Sequence, residues 1–286
     1  MVSLSYVPED MDRIKDLITS RAELIVRENL GDHNILSMVN YALQGGKRLR
    51  GILLVMSGLA LNGELEKLLD PAVALELGHS ASLIHDDIVD SSDYRRGKIA
   101  FWRKYGLGLA VITPHLMIAL ALDILSKYGL RVVRKGIRSW RKAALGQLMD
   151  ALIARGEETD VSYEGLVALK TGSVFEAACY IGSYLASNDV RLANSLGRYG
   201  LYLGIAYQVL DDFAGFSSGN EDSGSMVLFR KIAGERDVVK NMLRRYLNLA
   251  ISALDPLNNP RPFTDLARII LSRFMEKTGL NDSLLK

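Results

Sequence analysis

The chain has one cysteine, Cys179, and only 6 prolines in 286 residues. A lone thiol excludes an internal disulfide and a thiolate metal cluster, and points to a reducing, cytoplasmic setting. Scarce proline beside 49% hydrophobic residues favours long uninterrupted helices over a turn-rich β fold. Charge of one sign is lacking too. The 35 lysines and arginines nearly balance 33 acids, leaving a formal charge of +2, so the overall balance demands neither a nucleic acid nor a membrane surface as partner. The opening segment MVSLSYVPEDMDRIKDLI carries acids and no apolar core, which is not the pattern of a signal peptide. No unbroken apolar run reaches the ~20 residues of a spanning helix. The nearest, Tyr105 to Leu122, is uncharged but interrupted by Thr113-Pro114-His115, and reads as a pair of buried core helices.

What the chain has is helical periodicity. Amphipathic helices are expected over 10–30, from near Asn34 to Gly45-Gly46, and over 51–61. Asp70-Pro71 has the chemistry of a helix start, with Asp as N-cap and Pro at the first position, and that helix should run through Asp90. Ser91 to Lys98 follows as a polar loop. Further helices are expected over 108–128, 134–155, 162–186, 189–216 and 236–253, with a last one from near Thr264. Phe216 to Ser225 is the most loop-like stretch, and 258–262 reads as a turn. No strand pattern and no linker appear. The expectation is an all-α chain, one domain over 1–286, built as a single large helical bundle around a central cavity.

Two aspartate pairs stand at the ends of apolar helical stretches: Asp86, Asp87 and Asp90 in SLIHDDIVD, and Asp211 and Asp212 in YQVLDDFAG. Adjacent carboxylates repel, so their placement beside a core calls for a compensating cation. A hard divalent ion suits them, because Mg²⁺ takes carboxylate oxygens and keeps positions open for phosphates. Asp86 and Asp90 are four apart and share a helix face, whereas Asp87 points about 100° away. Back along the face from Asp86 lie Leu83, Ser82 and His79, so a bound tail would run past Ser82 and neighbouring Ala81. Gln208, one turn before the second pair, can donate to an oxyanion or hold a carboxylate. The basic elements are Lys47, Arg48 and Arg50 in GGKRLRG, Arg95-Arg96, and Lys170 beside Thr171. Arginine forks and lysine point charges match phosphate oxygens, and the acids and bases together fit a site for metal-bound diphosphate.

In order along the chain, GGKRLR, HSASLIHDDIVDSSDYRRGK, GQLMD, KTGSVFEAA and YQVLDD resemble the motifs of the trans-isoprenyl diphosphate synthases, over about residues 40 to 235. The resemblance implies the type I isoprenoid synthase fold, a homodimer or alternatively a heteromer, and 1'-4 transfer of an allylic prenyl group to isopentenyl diphosphate. It implies two or three Mg²⁺ ions held by Asp86, Asp90 and Asp211, with Asp87 and Asp212 completing the acidic set. Arg95, Lys170, Thr171 and Gln208 match positions that contact the allylic diphosphate. Lys47, Arg50, His79 and Arg96 match positions that bind isopentenyl diphosphate. Small residues at Ala81 and Ser82, where short-product relatives carry aromatics, imply a product of C20 or longer.

The chain also departs from the pattern. Gly215 stands in place of the last aspartate of the second motif, and GSMVLF (224–229) replaces the usual GKxTLP, removing its lysine. Thr113-Pro114 replaces a common Gly-Asp, and Ile99-Ala100 a common Pro-Thr. These changes leave a weakly active enzyme or a non-catalytic, prenyl-lipid-binding subunit as alternatives. A class I terpene cyclase is disfavoured by GGKRLR and by the second Asp-Asp.

Overall fold

The computed structural model describes residues 8–218, 223–232 and 236–278. In chain order the helices are α1 (Pro8–Asn29), α2 (His33–Leu43), α3 (Leu49–Leu59), α4 (Leu65–Val89), α5 (Phe101–Tyr105), α6 (Leu107–Ser126), α7 (Leu130–Ala154), α8 (Tyr163–Val167), α9 (Ser173–Ser187), α10 (Val190–Ser218), α11 (Gly224–Ile232), α12 (Arg236–Ser252) and α13 (Arg261–Thr278). The chain is all-α, and α4, α6, α7, α9 and α10 surround a central cavity. Part of the loop expected at Phe216 to Ser225, residues 219–222, and the first seven residues lie outside the described residues.

Three local expectations are corrected. The helix carrying the first aspartates begins at Leu65, not at Pro71, which sits inside it. Leu68 and Leu69 are buried, and their burial outweighs the hydrogen bond that an internal proline removes. Likewise α6 runs straight through Pro114. Its buried residues Ala110, Thr113, Pro114, Met117, Leu120, Ala121, Ile124 and Leu125 repeat at three and four, one unbroken stripe of a single helix rather than a helix pair. Nor is α6 wholly buried: Leu107, Leu109, Val111, Ile112 and Leu116 face outward. By length and composition alone it could cross a membrane, although its inner stripe is built into the bundle.

The third correction is the loop Ser91 to Lys98. It contains an antiparallel hairpin, β1 (Tyr94–Arg95) paired with β2 (Lys98–Ile99), with Arg95 opposite Lys98. The two turn residues, Arg96 and Gly97, both have positive φ, 54° and 73°, as in the tight turns whose twist suits hairpins. Two-residue strands leave no periodicity to read.

Glycines let the central helices touch. A Cβ at Gly182 on α9 would sit 2.0 Å from the Leu54 carbonyl oxygen of α3. At Gly200 on α10 it would sit 2.4 Å from the Phe175 carbonyl oxygen of α9. Cys179 is buried in this same layer. Between α8 and α9 the chain widens into a π-helical turn, Ala168–Gly172. Such turns inside α-helices are rare and recur at functional sites; this one carries Lys170 and Thr171.

Candidate active site

The cavity has a volume of about 650 Å³. Along α4 it is bounded by Asp86, Ser82, Gly78 and Ala74, each one turn deeper than the last, so this wall descends about 18 Å. It stays open because three successive turns present a hydroxymethyl, a hydrogen and a methyl. Ile118, Ala121, Leu122 and Leu125 of α6 and Trp140 of α7 close the apolar sides. A Cβ at Gly78 would lie 3.9 Å from the Trp140 ring. Polar groups cluster at the other end, where Asp90 and Asp211 are exposed.

There α4 presents Asp86 and Asp90, and α10 presents Asp211 from across the cavity. Burial pushes the Asp86 carboxyl up to about 6, with Asp90 repelling it and Lys170 and Arg95 opposing the rise. A half-buried carboxylate held this far from its usual range is short of positive charge. Among the described residues no three such groups converge into a ready-made metal cage. That suits Mg²⁺, which is held by one or two carboxylates and completes its shell with water and substrate phosphates.

The other two aspartates are differently employed. Asp87 is turned away from the cavity and buried, and Arg95 donates to its Oδ1 at 2.6 Å. It fixes the arginine that lines the cavity and does not itself line it. Asp212 lines the cavity but is clamped on both oxygens. Gln208 donates to Oδ1 at 2.9 Å, and the Tyr163 hydroxyl donates to Oδ2 at 2.7 Å. Thr171 donates in turn to Gln208 Oε1 at 2.8 Å. Burial raises Asp212 to about 6 despite these donors, and burial beside Asp212 pushes the Tyr163 phenol up.

Of the basic positions, Arg50, Arg95 and Lys170 line the cavity. The Arg50 Nε is buried without a hydrogen-bond partner, and burial lowers its pKa against the pull of Glu76, Asp211 and Asp86. An orphaned guanidinium edge facing a cavity is suited to an anion. His79 also lines the cavity. Burial, with Arg50, Arg96, Arg48 and Arg95 around it, drives its pKa well down, so it is neutral. Arg96 lies against the Gly-Gly break: a Cβ at Gly46 would stand 2.8 Å from its Cζ, so a side chain there would displace that guanidinium. It borders a smaller recess with Arg95 and Asp87 rather than the main cavity. Lys47 is exposed and lines a separate recess beside Met11 and Tyr207. Ala81 is fully buried in the core, and Ser82 is the wall residue; one position along a helix turns a side chain by about 100°.

Asp150 and Tyr163 were not singled out from the sequence. Asp150, in the GQLMD motif, is buried at the end of α7. Its Oδ2 accepts from Lys170 Nζ at 2.7 Å and its Oδ1 from the Ser225 amide at 2.6 Å. The only acid of a helix that carries six basic residues was the available signal. Gly215 also lines the cavity, where a Cβ would meet only the Met226 Cε, at 3.4 Å.

Known proteins resemble this chain in sequence and in fold. The chain is 35% identical over 188 residues to a hexaprenyl pyrophosphate synthase of Saccharolobus solfataricus, a match spanning 65% of this chain and 64% of that protein. It is 28% identical over 232 residues to heptaprenyl diphosphate synthase component 2 of Bacillus subtilis, covering 79% of this chain and 64% of the relative. A geranyltranstransferase structure from Thermotoga maritima superposes with a TM-score of 0.80 at 27% identity, covering 94% of this chain and 99% of that one. The polyprenyl synthetase family model matches residues 32–228, and with the type I isoprenoid synthase fold around the cavity the chain belongs to that family.

Proposed function

We propose that this chain is a Mg²⁺-dependent prenyltransferase that joins isopentenyl diphosphate to an allylic diphosphate and yields a linear trans product of C20 or longer. The observation that carries the reading is the two-ended cavity: carboxylates and cations at the open end, an apolar shaft behind them. Asp86, Asp90 and Asp211 hold the metal ions, which supply Lewis-acid stabilisation of the leaving diphosphate. Arg95 and Lys170 take the charge that develops on it, and Thr171 and Gln208, tied into the Asp212 network, fix its place. The allylic C–O bond breaks, the isopentenyl double bond forms the new C–C bond, and the proton lost goes to the departing diphosphate. Arg50 and neutral His79, which line the cavity, are suited to the second diphosphate, with Arg96 and Lys47 in neighbouring recesses. The apolar shaft excludes water from the cation.

A homodimer is supported by the outward Leu107, Leu109, Val111, Ile112 and Leu116 of α6 together with Leu145, Leu148 and Leu152 of α7, an apolar surface that a second copy would cover. A second reading, a subunit that needs a different partner, is favoured by Gly215, by Ser225 where the related motif has lysine, and by the Bacillus relative's name as a component. The purified chain, given Mg²⁺, labelled isopentenyl diphosphate and farnesyl diphosphate, should release longer prenyl diphosphates. A hydrocarbon product would overturn the reading, and silence from the isolated chain would favour the partnered subunit.

The wall geometry makes chain length testable. Ser82→Phe should plug the shaft one turn below Asp86 and shift products to shorter lengths. Ala81→Phe should leave the distribution unchanged and instead overpack the core, at about 1–3 kcal/mol. Product sizing and thermal melts on the two variants separate these effects; a shortened product from Ala81→Phe alone would contradict the placement.

A further inference from the structure

Glu76 on α4 carries a charge, is 1% exposed and does not line the cavity. Its Oε1 accepts from the Gly51 amide of α3 at 2.9 Å, and its Oε2 stands 3.9 Å from Arg48 Nη1. Gly51 is the third residue of α3. Its amide is one of the donors that a helix start leaves open, usually taken by an acceptor side chain at the N-cap. Here the N-cap is Arg48, which has no acceptor to offer, and α3 has no side-chain cap of its own. Arg48 sits in the left-handed region at φ 49°, and its guanidinium donates to the Leu43 carbonyl oxygen and to Thr19 Oγ1, the latter at 3.4 Å. Lys47, Arg48 and Arg50 also place cations at the positive end of the α3 dipole, which weakens a helix. The Glu76 carboxylate answers both needs from a neighbouring helix. Glycine permits the approach: a Cβ at Gly51 would lie 3.3 Å from Glu76 Cγ and 3.4 Å from the Ala72 carbonyl oxygen.

We propose that Glu76 is a positioning residue, which caps α3 from outside and so aims Arg50 into the cavity. This deepens the reading of Arg50 and neutral His79 as the isopentenyl diphosphate site, and it rests on that reading. Arg50 precedes the capped amide by one residue. Its Nε is buried without a hydrogen-bond partner, and its guanidinium lies 5.8 Å from the centre of the Phe175 ring, so the start of α3 sets where the fork points. Among the surrounding charges, Glu76 is also the one that most raises the pKa of Arg50 and of Arg96 against their burial. A carboxylate in this place has two separable properties. Its reach fixes the backbone; its charge competes with the diphosphate for the same guanidinium.

Binding of isopentenyl diphosphate, measured by calorimetry in EDTA with no allylic substrate, reads this end of the cavity apart from turnover. Glu76→Asp keeps the charge but is one methylene too short for the Gly51 amide, and its Kd should rise about tenfold. Glu76→Gln keeps the acceptor at full length and drops the charge, so its Kd should equal the wild-type value or fall below it. In steady-state assays Glu76→Asp should raise KM for isopentenyl diphosphate and leave KM for the allylic diphosphate unchanged. Both variants should melt lower than wild type, so the affinities rather than the melts separate a positioning role from a structural one. The reverse order, with Glu76→Gln weak and Glu76→Asp like wild type, would make Glu76 a counter-charge and overturn the proposal. Equal Kd values in all three proteins, or wild-type protein that binds no isopentenyl diphosphate, would overturn it too. Wild-type protein that binds isopentenyl diphosphate without elongating it would count against the transfer reading alone, with the order of the Kd values still deciding the role of Glu76.

Discussion

Replacing Asp86 by Asn should abolish prenyl transfer, by at least roughly 10³-fold, and yet make the unliganded protein more stable near pH 8. Both effects come from one carboxyl. Its folded pKa is about 6, raised above 3.8 chiefly by burial. Below 3.8 it is protonated whether the chain is folded or not, and it makes no difference to stability. Between 3.8 and about 6 the unfolded chain has released this proton while the folded one keeps it, so stability falls as pH rises. Above about 6 the penalty is complete, on the order of 2–3 kcal/mol. The Asn side chain never incurs it. Melts of Asp86→Asn and wild type should therefore coincide near pH 3.5 and separate toward pH 8, with the variant higher. Mg²⁺ with inorganic diphosphate should raise the wild-type melt and leave the variant unmoved. A variant that melts lower than wild type at pH 8 would overturn the burial penalty, and one that still turns over would remove Asp86 from the metal site.

The same carboxyl shows how much could be read from sequence. Asp86, Asp90, Asp211, Arg50, Arg95, Lys170, Thr171, Gln208, His79 and Ser82 all line one cavity. Helical spacing put Asp86, Asp90, Ser82 and His79 on one face, while Arg50, Arg95, Lys170 and Thr171, on other elements, were legible as basic clusters and through the family resemblance. What spacing cannot fix is the phase of that face. Ala81 and Asp87 each sit one position beside a cavity-lining residue and are turned into the protein instead. Proline misled twice for a related reason: a breaker is a local property, and the stripes around Pro71 and Pro114 are secured by burial against other helices. Tyr163 was illegible because its acceptor, Asp212, is 49 positions away.

Asp150→Ala should be among the more damaging single changes outside the acidic motifs. Its carboxylate joins three segments: the end of α7, Lys170 in the π-helical turn, and the first residues of α11. It is only 4% exposed, against 26% for Lys170. The backbone packs as tightly, since a Cβ at Gly224 would lie 2.1 Å from the Asp150 carbonyl oxygen. Truncation strands a partly buried ammonium and leaves the Ser225 amide without its acceptor. Losing one partner of a buried ion pair costs about 3–5 kcal/mol; the exposure of Lys170 places the expected loss at the lower end, a fall of roughly 6–10 °C in melting temperature. The functional effect should be selective. Lys170 would no longer be aimed, so KM for the allylic diphosphate should rise about tenfold while KM for isopentenyl diphosphate changes little. Asp150→Asn, whose single carbonyl oxygen can accept from the Ser225 amide while its NH2 cannot accept from Lys170, should recover part of the stability and little of the allylic KM. This network stands beside Gly215 and Ser225, where the chain lacks the acid and lysine of related motifs. Asp150, rather than a lysine side chain, ties the start of α11 to the cavity wall. An alanine variant with wild-type melting and an unchanged allylic KM would show that the wall is held in some other way.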